Sequence, residues 1–558
     1  MIIEDIQKEF YEYLAGKQIY IIINNDIDSI CSCKILQTLL THKHTLYTLG
    51  IVSGIKDLRR TYRENCEDVK CFVLINCGGT IDLVDLLEPD EDVIFFVLDS
   101  HRPMELCNVY SDGQIRMLLQ LDEEQKIPEF EEIFRDDESE NESDHEDGEE
   151  NSSKRRRLDE DAILKRRERR VWEENRNKIL FEYSQFTYYS KPSAIFLFDL
   201  AWKLNKDNKD LLWLAILSLT EQMVFGKIDN TQYVLETGNL QAHVTRLQNR
   251  ANDTDVLTSL KIIFEKDLKL CLYRHWTVSS SLKYSMFTAC KMKLWSLKGD
   301  KKLHELLADM GLPLVQSKQS FSSMDLTLRQ EFQTNLERLS EKYGLADIIY
   351  ASFTLQYGYR NKFAASDVVY GLIAILEASG FEKNPNECFH SVLDGLSHSN
   401  SSETLKSGIE RAKSIVQTLF KTVQSALDMK LIISAGPFIY YIIQETCLDW
   451  MMFSKPHILS LLAQFILRAY VVMSRNKKAS TLPLIISAPY NLDTGVCVLM
   501  GIPPLCENSP KNLFGKAFEQ AAERINCDSF CDYFDTAYFQ LQTKNRTRFF
   551  DSLTTLLS

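Results

Sequence analysis

The stretch "QIYIIINNDIDSICSCKILQTLL", residues 18–40, contains an apolar run, a polar turn and a helical pattern in succession. The run at 18–23 is rich in β-branched residues, which predicts a buried strand. Residues 29–40 carry apolar side chains at helical spacing. Residues 24–28, four of which are polar, lie between the two. The stretch therefore predicts a strand followed by a helix, with amide and carboxyl groups where the strand ends.

The same alternation continues through the first 110 residues. Apolar runs at 45–52, 69–76 and 93–99 predict three more strands, and the segments at 55–64 and 81–87 predict helices between them. Short, continuously apolar strands that alternate with helices are typical of βαβ units. We therefore predict an N-terminal α/β domain with a mostly parallel sheet.

Three of the predicted strands end in polar groups that can bind metals or form hydrogen bonds. In chain order these groups are Asn24, Asp26 and Asp28, then Asn76, and then Asp99, Ser100 and His101. Ligands of open α/β sheets bind beyond the carboxyl ends of the strands, so the groups would converge if their strands are neighbours. They predict either a metal site or the remains of one that now only supports the fold.

The remaining chain is mostly helical as far as residue 345 and mixed beyond it. The runs "LPLIISAPY" and "GVCVLMGIPP" flank residues 491–494 and predict a hairpin. A chain of 558 residues is long enough for two or three domains. We predict an α/β domain at 1–200, an all-helical interaction domain at 201–345 and a second α/β domain at 346–558.

The charge of the chain is concentrated in one segment. Residues 136–150 carry ten acids, which account for most of the net charge of −14. The rest of the chain is only mildly acidic, so a broadly basic DNA-binding surface is not expected.

Neither membrane insertion nor a zinc site is expected. The N-terminus has no signal-peptide core, and the apolar stretch at 450–473 is interrupted by charged residues and a proline, which favours a buried helix over a membrane span. We expect a soluble intracellular protein with reduced cysteines. The pairs Cys31/Cys33 and Cys527/Cys531 lack a second pair at zinc-site spacing, so we expect ordinary cysteines.

An acidic segment is followed directly by a basic one. Residues 136–153 contain no large apolar side chain, and we expect disorder over about 136–165. Two basic clusters resemble a bipartite nuclear-localisation signal, although a solvated helix face is the alternative. The signal would comprise Lys154, Arg155, Arg156, Arg157, Lys165, Arg166, Arg167, Arg169 and Arg170. Ser139 and Ser143 each precede an acid by three residues, which predicts phosphorylation; alternatively, the acids only keep the segment soluble.

Three short motifs point to a known superfamily. The sequences "NNDIDS", "LINCGG" and "LDSHRP" follow one another at strand ends and resemble the first three motifs of the DHH phosphoesterases, which include the RecJ exonucleases. Longer segments, "DEDVIFFVLDSHRP", "LADMGLPLVQ" and "FAASDVVYGL" among them, resemble the cell division cycle protein 45 family across essentially the whole chain. The resemblance implies a DHH-type domain, an inserted helical domain and a C-terminal DHHA1-like domain.

The resemblance also implies a role in the cell nucleus. Members of that family join the MCM hexamer and GINS in the eukaryotic CMG helicase and act in initiation and elongation of DNA replication. It implies further contacts with replicative polymerase and with checkpoint or initiation factors, and weak contact with single-stranded DNA. No cofactor and no membrane partner are expected.

The motifs depart from those of active DHH enzymes, which bind two divalent metals. Asn24 stands in place of the first Asp of D-x-D-x-D-G, Asn76 in place of the second-motif Asp, and Ser100 in place of the first His of D-H-H. An amide is a poor bridge between two cations, and a hydroxyl is a weaker ligand than imidazole. Asp112 is the nearest candidate for the fourth-motif Asp. The departures predict a vestigial site, with one weak Mg²⁺ on Asp26 and Asp28 as the alternative.

The retained residues are expected to serve the fold. We expect Asp28 or Ser29 to cap a helix that begins at Ser29, and Asp99 to fix its turn and hydrogen-bond His101.

The chain has no P-loop, H-E-x-x-H or G-x-S-x-G motif. The leading hypothesis is a non-enzymatic helicase scaffold. The competing hypothesis is a metal-dependent exonuclease of the RecJ type acting on single-stranded DNA, and a third is a free-standing DNA-binding protein.

Overall fold

The structure is a computed structural model of the chain. It describes residues 1–119, 126–134, 152–250, 260–357, 361–378, 384–397, 401–474, 477–505, 511–526, 529–530 and 532–558.

The N-terminal domain is built on a five-stranded parallel sheet. The strands of this region are β1 (Ile19–Asn24), β2 (Tyr47–Val52), β3 (Cys71–Ile75), β4 (Ile94–Leu98), the short β5 (His101–Arg102) and β6 (Ile115–Met117). The order in the sheet is β2-β1-β3-β4-β6. Its helices are α1 (Ile27–Thr41), α2 (Ile55–Asn65), α3 (Leu83–Leu87), α4 (Leu106–Val109) and α5 (Phe130–Ile133). The central strands are buried almost throughout, as expected of a sheet covered on both faces. The predicted parallel sheet is confirmed.

A long helix, α6 (Ser152–Ser184), follows the acidic segment. The expectation of disorder over 136–165 is therefore wrong for residues 152–165. That stretch is rich in Lys, Arg, Leu and Ala, whose helix propensity is high. The acidic run at 136–150, with Ser139 and Ser143, lies outside the described residues.

The middle of the chain is mostly, but not wholly, helical. Its elements are β7 (Tyr188–Tyr189), α7 (Ser193–Lys203), α8 (Lys209–Val224), α9 (Asn230–Arg250), β8 (Lys261–Leu268), α10 (Val278–Tyr284), α11 (Met286–Met292), α12 (Leu297–Asp309), α13 (Leu314–Ser317) and α14 (Leu326–Leu339). Helices α7 and α8 pack on α1, against the N-terminal sheet. The predicted boundary at residue 200 therefore falls within a helix that belongs to the N-terminal core.

A three-stranded antiparallel sheet spans the predicted boundary between residues 345 and 346. Strand β8 pairs along its length with β9 (Ile349–Tyr357), which pairs in turn with β10 (Asn361–Ala364). The predicted division between residues 345 and 346 separates two strands of this antiparallel sheet. Pairing over such a sequence distance is tertiary, and local periodicity does not contain it.

The C-terminal region is a second α/β domain, as predicted. Its helices are α15 (Ala365–Leu376), α16 (Pro385–Gly395), α17 (Ser401–Asp428), α18 (Trp450–Phe453), α19 (Pro456–Met473), α20 (Phe514–Ile525) and α21 (Arg546–Leu557). Its strands are β11 (Ile433–Ser434), β12 (Ile439–Ile442), β13 (Leu484–Asn491), β14 (Val496–Ile502), β15 (Ser529–Phe530) and β16 (Tyr538–Gln542), in the order β11-β12-β13-β14-β16-β15. The antiparallel pair of β13 and β14 is the predicted hairpin.

The apolar helix α19 lies in the interior of this domain. Among the described residues it is the one helix long and apolar enough to cross a membrane, and 61% of its 18-residue apolar window is buried inside the protein. Such burial is typical of a core helix. The described cysteines form no disulfide.

Candidate functional site

The polar strand ends predicted from the sequence do converge. Strand β1 pairs with β3, and β3 pairs with β4, so the three carboxyl ends lie side by side. Asp26, Asp28, Asn76 and Asp99 are all buried there, between 2% and 8% exposed. The arrangement is a compact polar cluster at the rim of the sheet.

Asp28 lies at the base of the cluster and holds two helices in place. Its carboxylate accepts hydrogen bonds from the peptide N–H groups of Ser193 and Ala194, both at 3.0 Å, at the start of α7. It also accepts from the amide of Asn76 at 2.9 Å and from the hydroxyl of Ser218 in α8. Helix N-termini favour a carboxylate because their first N–H groups lack partners. Asp28 therefore joins α7 and α8 to the sheet.

Asp26 caps the helix that follows β1. One carboxylate oxygen accepts from the peptide N–H of Ser29 at 2.6 Å, and the other accepts from the Ser29 hydroxyl at 2.9 Å and the Asn24 amide at 2.6 Å. Helix α1 begins at Ile27, with Asp26 as its N-cap. The expectation that Asp28 or Ser29 caps a helix beginning at Ser29 is therefore wrong. Asp28 caps a different helix, α7.

Asn76 connects the three strand ends through both halves of its amide. Its oxygen accepts from the Ser100 peptide N–H at 3.1 Å and from the Ser193 hydroxyl at 2.7 Å. Its nitrogen donates to Asp28 at 2.9 Å and, more weakly, to Asp26 at 3.5 Å. The backbone at Asn76 has φ of 52°, a left-handed conformation that Asn tolerates well. An amide can donate to both carboxylates, whereas an ionised carboxylate at this position could not.

Asp99 fixes the turn after β4. One of its oxygens accepts from the peptide N–H of His101 at 2.9 Å and lies 2.6 Å from the His101 Nδ1, while the other accepts from the Gly79 N–H at 2.9 Å. The structure thus contains the expected hydrogen bond. Burial lowers the pKa of His101, but Asp99 raises it more, so the net pKa is above its usual value. Asp99 and His101 thus form a buried hydrogen-bonded pair at the end of β4.

A second charged pair lies beside Asp26. Lys227 Nζ is 2.9 Å from a carboxylate oxygen of Glu221, which is 1% exposed. Burial raises the pKa of Asp26, and the negative charges of Glu221 and Asp28 raise it further, to about 6, while Lys227 opposes the shift. The floor of the site therefore holds three acids close to one lysine.

The residues present do not fit the two divalent metals of active DHH enzymes. Both oxygens of Asp26, Asp28 and Asp99 accept hydrogen bonds from protein donors, and Asn76 contributes an uncharged amide. A bridging ligand of two cations needs negative charge and open lone pairs. Among the described residues no group of three His, Cys, Asp or Glu side chains has a metal-binding arrangement. These carboxylates are instead engaged in hydrogen bonds that hold the surrounding helices and turns.

Other candidates from the sequence lie elsewhere. Asp112 is exposed after α4, and its charge raises the pKa of the Met1 amino group, whose net pKa is lowered by burial. Cys31 and Cys33 are buried in α1, and burial raises the pKa of both thiols, that of Cys33 to about 12. Metal binding needs thiolates, which burial disfavours. The pair at 527 and 531 lies outside the described residues.

The basic residues of the predicted localisation signal lie on helix α6. Arg167, Arg169 and Arg170 are exposed, and Arg169 forms an ion pair with Glu173 at 3.0 Å. The side chains before residue 167 lie outside the described part of the helix.

A cleft of about 1020 Å³ opens in front of the cluster, between the N- and C-terminal domains. Its lining includes Asn24 and Asp26 from one side and His457 and Arg468 of α19 from the other. His457 Nδ1 lies 2.5 Å from Glu377; burial lowers the pKa of this histidine, but Glu377 raises it more. Six acids and three Lys or Arg residues line the cleft, so its charge is mixed rather than basic.

Four residues of the site were not predicted from the sequence: Ser193, Ser218, Glu221 and Lys227. A signal exists for Glu221 alone, because an acid inside the apolar run "LLWLAILSLTEQMV" indicates a buried partner. Ser193 and Ser218 are small polar residues of ordinary helices, and only the tertiary fold brings them to Asp28.

Known proteins resemble the whole chain. The family model CDC45 matches residues 19–151 and 119–556. "Cell division control protein 45 homolog" of Homo sapiens is 41% identical, with 100% of both chains covered. The crystal structure of CDC45 from Entamoeba histolytica has a TM-score of 0.72 at 23% identity, covering 100% of both chains, which shows a shared fold.

A more distant structural similarity is to RecJ in complex with Mn²⁺ from Thermus thermophilus. It has a TM-score of 0.40 at 12% identity, covering 98% of this chain and 53% of that one, too low to carry an argument. The family model and the human relative, each spanning nearly the whole chain, confirm the family resemblance seen in the sequence. The chain belongs to the CDC45 family of DNA replication factors.

Proposed function

We propose that the chain is a non-enzymatic scaffold subunit of the eukaryotic replicative helicase, required for initiation and elongation of replication. It joins the MCM hexamer to GINS in the nucleus. The observation that carries the proposal is the use of the retained motif residues: Asp26, Asp28 and Asp99 are hydrogen-bond acceptors within the protein. A buried cluster of this kind supports a rigid body on which partners dock.

The competing function is a metal-dependent exonuclease on single-stranded DNA. Two-metal hydrolysis needs carboxylates that bridge the cations and activate water. Here the second-motif position is the neutral Asn76, and Asp28 lies beneath α7 with its oxygens engaged by α7 and α8. Opening such a site would require breaking the cap of α7. We therefore prefer the scaffold.

Nucleic-acid binding is a lesser part of the proposal. The mixed charge of the cleft favours weak, strongly salt-sensitive contact with single-stranded DNA over tight binding. The same observation argues against a free-standing DNA-binding protein, which needs a basic groove. Contacts with replicative polymerase and with checkpoint or initiation factors are proposed from the family alone.

Nuclear import and phosphorylation belong to the proposal as well. The exposed Arg167, Arg169 and Arg170 on α6 suit recognition by an import receptor, together with the basic residues that precede them. Ser139 and Ser143 remain the proposed phosphorylation sites.

The proposal predicts specific co-purification from nuclear extract. A tagged full-length chain should capture MCM and GINS subunits together, and the Asp26→Asn variant should capture them equally, because Asn caps helices about as well as Asp. The measurement is quantitative mass spectrometry of the captured proteins after a wash at moderate salt. Failure of the folded native chain to retain either complex would contradict the scaffold.

A further inference from the structure

Lys227 lines the cleft, beside Asp26 of the polar cluster. It follows α8 in a sharp turn at Gly226, where φ is +60°. Its side chain is 22% exposed, and its Nζ lies 2.9 Å from Glu221 and 4.6 Å from the ring centre of Tyr189. The amide of Gln464, which donates to the Phe225 carbonyl, contacts this turn from the C-terminal domain. The middle of the chain thus holds the ammonium of Lys227, and the C-terminal domain holds the turn that carries it.

Negatively charged carboxylates and the faces of aromatic rings surround the ammonium of Lys227. Glu221 contacts the ammonium directly, the carboxylates of Asp26 and Asp535 add negative charge nearby, and Asp28 adds its charge beside Asp26. The rings of Tyr189 and Phe225 present their faces to the ammonium at 4.6 and 5.3 Å. In a DHH-type metal site this negative charge would be neutralised by divalent ions. Here Lys227 is the cation in contact with Glu221, while the imidazoles of His101 and His457, which line the same cleft, are each paired with a carboxylate of their own, Asp99 and Glu377.

We infer that Lys227 is a built-in counter-cation, whose ammonium neutralises Asp26 and Glu221 in place of a bound metal. The carboxylates of an ancestral metal site now cap helices. With Lys227 in place, the fold can retain them without the metal. A buried carboxylate is costly unless it is paired, and Lys227 reduces this cost through its contact with Glu221 and its positive charge near Asp26.

Thermal unfolding of the full chain tests the inference through a double-mutant cycle. Lys227→Met should lower Tm by about 5 °C or more, because it removes the ammonium that is paired with the buried Glu221. Asp26→Asn retains the helix cap and removes the charge. In the Lys227→Met background it should recover part of the lost Tm, because fewer negative charges then remain uncompensated.

Lys191→Met is the matched control, which separates the loss of this charge interaction from the general effect of replacing a paired lysine by methionine. Lys191 is 26% exposed and pairs with Asp199 and Glu236 rather than with a carboxylate of the cluster. Lys191→Met should lower Tm less, and Asp26→Asn should not recover that loss. Additive effects of Lys227→Met and Asp26→Asn would overturn the inference. A rise in the native Tm with added Mn²⁺ that Asp26→Asn abolishes would also overturn it, since a metal would then be binding despite the lysine.

Discussion

Asp28→Ala should lower the free energy of unfolding by about 4 kcal/mol, the largest loss expected of any motif residue. The carboxylate accepts from the peptide N–H groups of Ser193 and Ala194, the Ser218 hydroxyl and the Asn76 amide. An alanine leaves these buried donors without an acceptor, and each unsatisfied group costs about 1–3 kcal/mol before relaxation. The measurement is denaturant unfolding of the full chain, monitored by circular dichroism.

Asp325→Ala provides the matched control. Asp325 caps α14 by accepting from the Thr327 N–H at 2.9 Å, but its carboxylate is solvated. Water can replace the lost acceptor at an exposed N-cap, so this substitution should destabilise the chain far less than Asp28→Ala does. If Asp28→Ala were no more damaging than Asp325→Ala, Asp28 would not be the structural support that its contacts indicate.

Asn76→Asp should destabilise the fold by about 3 kcal/mol rather than create a nuclease, because it buries a further charge beside an existing one. The substitution restores the second-motif carboxylate, but it places negative charge where the Asn76 amide now donates to Asp28 at 2.9 Å. Like charges this close raise the pKa of a buried carboxyl. An acid with a raised pKa in the folded state destabilises the protein above that pKa and less so as pH falls. The loss measured at pH 8 should therefore shrink toward about pH 5.

Asn108→Asp is the control for Asn76→Asp. Asn108 is 0% exposed, and its amide donates to the neutral carbonyls of Gly78 and Ile81 while accepting from the Leu83 N–H. Asn108→Asp also removes two donated hydrogen bonds, but their acceptors are neutral carbonyls rather than a carboxylate. The loss of stability should therefore be smaller than for Asn76→Asp. The account would be contradicted by an Asn76→Asp variant of native stability, or by one that cleaves DNA with Mn²⁺.

The sequence predicted the sheet and the convergence of its polar ends because both follow from local patterns. Apolar runs define β1, β3 and β4, and parallel strands joined by helices place their carboxyl ends at one edge. The Asp99–His101 contact is likewise local, spanning two residues.

The partners of the cluster could not be predicted, because they come from distant parts of the chain. Asp28 meets Ser193 and Ser218, which are 165 and 190 residues away in the sequence. The pairing of β8 with β9 is similarly remote and displaced the predicted domain boundary. The cap of α1 was misplaced for the same reason: local spacing allows Asp28 as a cap, but the distant α7 engages its carboxylate and Asp26 caps α1 instead.

The most direct test of the central claim is a nuclease assay of the native chain on end-labelled single-stranded DNA with Mn²⁺, compared with Asp26→Asn. The claim is that the retained carboxylates support the fold and perform no hydrolysis. It predicts no release of nucleotides by either protein at high protein concentration. Cleavage by the native chain that Asp26→Asn abolishes would show a working metal site and contradict the scaffold account.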